Sequence, residues 1–238
     1  MDKIQNWIYK DFKTVSSTND TAKLWADNLK QNCIISAYEQ TNGRGRRGNV
    51  WVSQKGNLFA SYAFKIKQAD LNRIVILSAV AIFETIKFFL PDKNIKIKWP
   101  NDILVEDAKI SGILFEKGNG DFWVMGVGIN IVSSPENVIY KTTDFKNFGM
   151  DTDRLTVLNY FTITFDKLLE DYYTYGFDKI KQTWLDNAYN LGKSISIKQK
   201  KETKKGNFLS IDENGALILK IDDKTEKILV GELFIEES

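Results

Sequence analysis

The 238-residue chain contains no histidine, and this absence excludes several kinds of catalytic site. A Ser-His-Asp or Cys-His catalytic unit cannot form, and neither can a His-ligated zinc site or an acid–base centre that relies on imidazole. The chemistry of any active site must therefore use lysine, arginine, side-chain amides, hydroxyls, carboxylates or backbone amides, or a metal that arrives with a substrate.

Cysteine is almost as scarce, because Cys33 is the single thiol of the chain. An intrachain disulfide and a thiolate metal cage are therefore excluded, which favours a reducing, cytoplasmic location. The sequence shows no signal-peptide pattern and no apolar run of about 18 residues, so it predicts no membrane span. Net charge is also small, with 33 basic against 31 acidic residues, which argues against a protein that binds a polyanion along its length.

Glycine and arginine are instead concentrated in residues 43–48, Gly-Arg-Gly-Arg-Arg-Gly, with Trp51 three residues further on. Each glycine disfavours a helix by about 1 kcal/mol relative to alanine and leaves a strand with no side chain to pack. The segment is therefore predicted to be a mobile loop. Its arginines suit an anionic ligand, because a guanidinium group matches carboxylate or phosphate with two parallel hydrogen bonds.

Hydrophobic periodicity and turn signals outline the secondary structure. Helices are predicted from the Ser-Ser-Thr-Asn-Asp segment at 16–20 to residue 29, over 70–89, over 153–173 and around 177–188. Strands are predicted over 33–38, 58–64, 95–99, 103–105, 109–116 and 122–131, and an exposed edge within 109–131 is expected to pair with a second copy of the chain or with an acceptor. Shorter strands follow at 195–197, 207–211, 216–221 and 227–234, with the lysine-rich residues 198–205 as a solvated loop.

This pattern predicts an α+β protein in two parts. Residues 1–190 are expected to form one domain, a mixed β-sheet with flanking helices. Residues 191–238 consist of short strands and turns, including a tight Asn-Gly hairpin at 214–215, and are expected to form a small appended β-barrel.

Two further segments carry polar groups at the ends of strands. Residues 98–102 read Lys-Trp-Pro-Asn-Asp, and Pro100 cannot donate to a strand ladder, so Asn101 and Asp102 are placed at a strand end or bulge where they can face a ligand. Lys109 begins the strand Lys-Ile-Ser-Gly-Ile-Leu. Residues 126–130 read Gly-Val-Gly-Ile-Asn; they precede no helix and lack a third glycine, so they do not indicate a dinucleotide-binding fold.

These motifs, in this order and with this spacing, resemble those of the biotin–protein ligases. The resemblance covers nearly the whole chain, since Asp-Glu-Asn-Gly-Ala-Leu at 212–217 and Gly-Glu at 231–232 are similar to the small SH3-like domain of that family. It implies a ligase domain of class II synthetase type followed by an SH3-like barrel. The chain begins directly at the ligase domain and so resembles the monofunctional members, which lack an N-terminal DNA-binding domain.

The resemblance implies a role for each matching residue. Biotin would be bound by Ser17, Thr18, Asn19, Gln40, Arg44, Gly45, Arg46, Lys109 and Gly112. The nucleotide would be bound by Arg46, Trp51, Lys98, Asn101 and Asn130. Lys109 and Arg46 would be catalytic, with Lys109 holding both the biotin carboxylate and the α-phosphate. The chain departs from the pattern at Asn49, where many members carry an arginine; Arg46 or Arg47 would then have to make that phosphate contact.

The implied reaction uses ATP and biotin as substrates, with Mg²⁺ accompanying ATP and no protein-bound metal. Biotinyl-AMP forms first, and its biotinyl group then passes to a lysine of a biotin carboxyl carrier protein or domain; no DNA takes part, and a homodimer is possible. Two other functions stay open, a lipoate or octanoate ligase and a non-catalytic nucleic-acid-binding protein that uses the basic loop and residues 198–205.

Simpler structural roles stay open for several of the same residues. Residues 17–19 could serve as an ordinary helix cap, and Trp51 could be a core residue. Asn101 and Asn130 could be buried amides that satisfy strand ends. Lys98 lies on an alternating strand, where lysine faces solvent by default.

Overall fold

The computed structural model describes residues 2–136, 138–198, 202–229 and 232–234. Its α-helices are α1 (Thr18–Leu29), α2 (Leu71–Phe89), α3 (Arg154–Tyr175) and α4 (Asp178–Asp186). The strands of its N-terminal part are β1 (Asp2–Ile4), β2 (Trp7–Val15), β3 (Cys33–Gln40), β4 (Leu58–Lys65), β5 (Ile95–Lys98), β6 (Asp102–Val105), β7 (Ala108–Lys117) and β8 (Phe122–Ile129). The strands of its C-terminal part are β9 (Ser194–Lys198), β10 (Thr203–Ile211), β11 (Leu217–Ile221), β12 (Lys224–Ile228) and β13 (Glu232–Phe234). The four predicted helices are present.

The eight N-terminal strands form one mixed sheet in the order β1-β2-β3-β4-β8-β7-β6-β5. Strands β2 and β3 are parallel and are connected through α1, while the other neighbours pair antiparallel. Strands β7 and β8 lie inside the strand order, but β6 pairs only with residues 108–112 of β7, which continues to Lys117. The prediction that an edge within 109–131 pairs with a second copy or with an acceptor stays a prediction. The outermost strands of the sheet are β1 and β5.

The strands β1 and β2 were not predicted from the sequence. In β2 the buried Trp7 and Tyr9 alternate with the less buried Ile8, a period of two that is typical of a strand. The indole of Trp7 donates to Asp166 of α3 at 2.9 Å, so the start of β2 is tied to the helix that covers it.

Helices lie on both faces of this sheet. The larger hydrophobic core includes residues of α2 and α3, whereas a smaller cluster lies under α1. Consecutive residues of β3 show the division, because Ile34 belongs to the larger cluster and Ile35 to the smaller one. Burying each such side chain contributes about 1.5–3 kcal/mol, so the sheet is stabilised from both sides. The smaller α1 layer leaves part of its face open.

The C-terminal strands form an antiparallel sheet in the order β12-β11-β10-β9-β13. The predicted fold class, a mixed sheet with flanking helices followed by a small antiparallel β domain, is confirmed. The prediction of one strand over 227–234 is wrong, since β12 ends at residue 228 and β13 begins at 232, with residues 230–231 outside the described part. The predicted loop at 198–205 is also wrong in part, because 203–205 belong to β10; residues 199–201 lie outside the described part. The domain boundary at 190/191 stays a prediction.

The predicted Asn-Gly hairpin connects the C-terminal sheet to helix α2 of the N-terminal part. Asp212 Oδ1 accepts hydrogen bonds from the backbone of Asn214 and Ala216, which closes the turn between β10 and β11. Arg73 of α2 then donates to the carbonyl of Glu213 at 2.8 Å and to Asn214 Oδ1 at 2.7 Å. The C-terminal sheet is thereby held against α2. Within the described residues, no helix has the length and apolarity needed to cross a membrane.

Candidate active site

A cavity of about 1670 Å³ lies where the start of α1, the glycine–arginine loop and the β5–β6 turn meet. Twelve of the thirteen residues assigned from the sequence line it: Ser17, Thr18, Asn19, Gln40, Arg44, Gly45, Arg46, Trp51, Lys98, Asn101, Lys109 and Gly112. Asn130 does not line the cavity. It is 3% exposed, and its Nδ2 donates to the carbonyl of Thr143 at 3.0 Å. The local structure of Asn130 matches a buried amide at a strand end, and its role at the nucleotide stays a prediction.

Two glycines of β8 form the floor of this cavity. Gly126 and Gly128 are two residues apart and therefore face the same side of the sheet, about 6–7 Å from each other. A Cβ at Gly126 would overlap Asn19 Oδ1, and one at Gly128 would overlap the indole of Trp51. The glycines therefore leave room for Asn19 at one position and Trp51 at the next. This explains the Gly-Val-Gly segment without a dinucleotide.

Uncharged polar groups occupy the Asn19 end of the floor. Ser17 is the N-cap of α1, so the capping role is present alongside a place in the cavity lining. The backbone and hydroxyl of Thr18 donate to Gln40 Oε1 at 2.8 and 2.9 Å. The buried Ser61 was missed in the sequence, yet its Oγ lies 2.8 Å from Thr18 Oγ1 and 2.6 Å from Asn19 Oδ1. This end is suited to a neutral ligand group with several donors and acceptors.

Arg44 at the start of the loop pairs with two carboxylates that sequence reasoning also missed. It forms two hydrogen bonds of 2.7 Å with Asp20, and its Nη2 lies 3.1 Å from Glu116 Oε2. Glu116 also accepts from Asn19 Nδ2 at 2.8 Å and from Lys23 at 3.0 Å. The alternation of side chains along β7 could have indicated Glu116, because this residue shares one face of the strand with Gly112 and Leu114.

The hydrogen bonds around Arg44 keep both carboxylates charged. Arg44 holds the pKa of Asp20 below its ordinary value. Burial acts to raise the pKa of Glu116, but hydrogen bonds from Asn19, Arg44 and Lys23 outweigh it, and the pKa lies below its ordinary value. The hydrogen bond to Asp20 in turn raises the pKa of Arg44. Two carboxylates and two cations therefore form a neutral cluster at neutral pH.

The tip of the loop bends back on itself and touches two other parts of the chain. Gly45 N donates to the carbonyl of Asn49 at 2.7 Å across a short 3-10 turn at Arg46–Gly48. Arg46 donates to Asn101 Oδ1 at 2.9 Å, and Arg47 donates to the carbonyl of Lys198 in β9 at 2.9 Å. The loop therefore lies between the β5–β6 turn and the C-terminal sheet.

Lys109 lies at the Trp51 end of the floor. Its Nζ is 2.8 Å from Asp102 Oδ1 and 5.6 and 5.3 Å from the ring centroids of Trp51 and Tyr140. Tyr140 was not singled out in the sequence. Trp51 itself is half-buried and packs on glycines beside the cavity, so it is not a core residue. A cation between two aromatic rings can attract an anion that carries a flat ring.

Lys98 adds a second positive charge at this end. Lys98 of β5 lies opposite Asp102 of β6 in the strand register, and β6 separates it from β7, which carries Lys109. The cavity therefore has a neutral polar end near Asn19 and a cationic, aromatic end near Lys109. Such a division suits an elongated ligand with a neutral head and an anionic tail, next to a second anionic ligand with an aromatic ring.

Comparison with known proteins gives concordant matches over most of the chain. The sequence model of the biotin/lipoate A/B protein ligase family matches residues 12–130, and that of the biotin protein ligase C-terminal domain matches residues 191–235. The chain is 32% identical to the bifunctional ligase/repressor BirA of Bacillus subtilis, over 96% of this chain and 74% of that protein. It is 29% identical to the biotin–[acetyl-CoA-carboxylase] ligase of Paracoccus denitrificans, over 92% of this chain and 96% of that one.

A solved structure shows the same architecture. The biotin protein ligase from Aquifex aeolicus, in complex with biotin and ATP, superposes with a TM-score of 0.85 at 25% identity. The match covers 97% of this chain and 99% of the Aquifex chain, so it includes both the mixed sheet and the C-terminal β domain.

Proposed function

The chain belongs to the biotin/lipoate A/B protein ligase family and is a ligase, and we propose that it is an ATP-dependent biotin–protein ligase. In the first step a carboxylate oxygen of biotin attacks the α-phosphorus of ATP, the bond to the bridging oxygen breaks, and pyrophosphate leaves. In the second step a lysine amine of an acceptor protein attacks the acyl carbon, AMP leaves, and the nitrogen loses a proton to give an amide.

The division of the cavity between Asn19 and Lys109 is the observation that carries this proposal. The ureido head of biotin has two N–H donors and a carbonyl acceptor, which the hydroxyls and amides of Thr18, Asn19 and Gln40 can satisfy. The dithiolane ring of lipoate has no N–H or O–H donor and no carbonyl, so it cannot form hydrogen bonds with these groups and would only shield them from water, at a cost in affinity. The polar end therefore favours biotin over lipoate or octanoate.

The cationic end of the cavity supplies the positive charge that the first step needs. Two anions, a carboxylate and a triphosphate, must approach each other, so catalysis rests on positioning and on charge stabilisation. Lys109 would contact the carboxylate and the α-phosphate, and Arg46 would contact the phosphate side. Since Asn49 replaces the arginine of many members, Arg46 or Arg47 would make the remaining phosphate contact. Neither step requires histidine.

The nucleotide would lie at Trp51, Lys98 and Asn101, with the base against the indole. Within the described residues no group of three or more acidic, histidine or cysteine side chains could hold a metal ion. Magnesium is proposed to enter as the MgATP complex, as part of the substrate.

The acceptor is proposed to be the carrier protein or domain of a biotin-dependent carboxylase. This rests on relatives such as the Paracoccus denitrificans biotin–[acetyl-CoA-carboxylase] ligase. A cytoplasmic location is part of the proposal, supported by the use of ATP and by the buried, unpaired thiol of Cys33. Nucleic-acid binding through the basic loop is disfavoured, because the chain has 33 basic against 31 acidic residues and Arg44 is held by Asp20 and Glu116.

Mass spectrometry of the purified protein incubated with MgATP and biotin, lipoate or octanoate tests this function directly. We expect biotinyl-AMP in the biotin sample and no acyl-AMP in the other two. An adduct with lipoate or octanoate alone would keep the adenylation chemistry and reassign the substrate. The absence of any adduct would contradict the proposed reaction, and the salt dependence of binding to DNA or RNA would then be the next measurement.

A further inference from the structure

We infer that Glu116 is a positioning residue that joins the recognition of the acyl head to the closure of the glycine–arginine loop. It acts through two partners: it orients the amide of Asn19, and together with Asp20 it holds Arg44. The identity of the acyl head rests on the proposed function, whereas the effect of Glu116 on the loop does not.

The orientation of Asn19 follows from its two neighbours. A side-chain amide has a donor end and an acceptor end; in this site one end meets a carboxylate, which can only accept, and the other meets a hydroxyl, which can donate or accept. Nδ2 donates to Glu116 Oε2 at 2.8 Å, while Oδ1 lies 2.6 Å from Ser61 Oγ. A charged carboxylate only accepts hydrogen bonds, so a flipped amide would place two acceptors against each other. Glu116 therefore fixes which end of the 5% exposed Asn19 faces the cavity.

The hold on the loop comes from the same carboxylate. Arg44 is the second residue of the glycine–arginine segment, and its side chain bridges Asp20 in the first turn of α1 and Glu116 near the end of β7. Lys23, one turn along α1, completes the cluster from the other side of Glu116 at 3.0 Å. The base of the loop is therefore tied to a helix and to a central strand before any ligand is bound.

Glu116 and Asp20 differ in one respect that makes the inference testable. Asp20 bonds to Arg44 but not to the Asn19 side chain, whereas Glu116 bonds to both. Loss of either negative charge should loosen the loop. Loss of the Glu116 charge alone should also free the amide of Asn19, and with it the recognition of the neutral head.

The experiment compares Glu116→Gln, Asp20→Asn and a control with the wild type. The control is Asp27→Asn, which removes an exposed ion pair with Lys30 on the same helix, far from the loop. The first readout is the rate of tryptic cleavage within residues 44–47 of the ligand-free protein. We expect cleavage several-fold faster in both Glu116→Gln and Asp20→Asn, and unchanged in Asp27→Asn.

The second readout measures the KM for biotin and the KM for MgATP separately. Steady-state adenylation should show the KM for biotin raised about tenfold in Glu116→Gln, as for the loss of a charge-assisted hydrogen bond, with the KM for MgATP changed no more than in Asp20→Asn, which loosens the same loop. Asp20→Asn should leave the KM for biotin within about twofold of the wild type. Both loop variants should release more free biotinyl-AMP, measured as biotin added to a bystander protein.

Two outcomes would overturn the inference. Equal increases in both KM values for Glu116→Gln would indicate general structural damage, and wild-type cleavage of that variant would show that the carboxylate does not hold the loop. Thermal melting of each variant establishes that it is folded. A wild-type protein that forms no biotinyl-AMP would contradict the proposed function instead, and the tryptic comparison would still decide the role of Glu116 at the loop.

Discussion

The indole of Trp51 lies directly on Gly128 of β8, so closely that a Cβ at residue 128 would come within 2.5 Å of Trp51 Cε2. Gly112 of the neighbouring strand supports the same ring, with Cζ3 3.1 Å from the position of its absent Cβ. A bulky, rigid side chain is thus held flat on two glycines at the edge of the cavity. The orientation of the ring depends on the absence of side chains beneath it.

Alanine at position 128 should therefore disturb nucleotide binding through Trp51. We expect Gly128→Ala to raise the KM for MgATP about tenfold, within the range for loss of one stacked base, and to change the KM for biotin little. Trp51→Ala should have a similar effect. Because both changes act on one contact, the double variant should be no worse than either single variant, which steady-state kinetics of all four proteins would reveal. Additive effects of the two changes on the KM for MgATP would show that Gly128 and Trp51 do not act through one contact.

Removal of the Lys109 ammonium should slow the first chemical step. We expect Lys109→Ala to lower the rate of pyrophosphate release by about 10²–10³, the usual effect of removing one charge-stabilising donor. The matched control is Lys117→Ala, at the exposed end of the same strand. Near-normal pyrophosphate release from Lys109→Ala would remove this lysine from the mechanism.

The tip of the glycine–arginine loop should close over the adenylate. The mixed anhydride is sensitive to water, so a segment that orders on binding would protect it. We expect biotinyl-AMP to slow tryptic cleavage at Arg46 and Arg47, while cleavage at the exposed Lys117 of β7 serves as the internal control. Equal cleavage of the loop with and without the ligand would count against a closing lid.

Acid should weaken the contact between β2 and the start of α3. Burial acts to raise the pKa of Asp11, but hydrogen bonds from Arg154 at 2.8 and 2.6 Å outweigh it, so the pKa lies below the ordinary value of 3.8. A carboxyl whose pKa is lower in the folded state stabilises the protein above its unfolded pKa, and this contribution is lost as pH falls through the folded pKa. The free energy of unfolding should therefore fall below about pH 4.

Urea unfolding between pH 3 and 7 would measure this dependence. Asp11→Asn should be less stable than the wild type at pH 7, and the difference between them should shrink as pH falls. Asp151→Asn, at an exposed position, is the control and should follow the wild-type curve. A constant difference between Asp11→Asn and the wild type at every pH would show that the ion pair with Arg154 is not its source.

Local patterns in the sequence predict much of the fold. The 3.6-residue periodicity that ends before Pro91 predicts α2 nearly to the residue, and the Ser-Ser-Thr-Asn-Asp segment predicts the start of α1. The two prediction errors in the C-terminal part fall at short strands: the 198–205 segment is polar, and 227–234 is one mostly apolar run although it spans the end of β12 and all of β13. In such segments strand formation depends on the neighbouring strand more than on the residues themselves.

Short-range sequence patterns specify the local elements of this protein: its helices, most of its strands and the short motifs that place polar residues at strand ends. Long-range contacts establish which of these elements meet. Asp20 and Glu116 are far apart in sequence but share Arg44, and Asn130 turns toward Thr143 instead of the cavity. Strand order likewise placed β7 and β8 inside the sheet. The physical reason is that side-chain periodicity is set by the local backbone, whereas pairing across the fold depends on long-range packing that no local pattern contains.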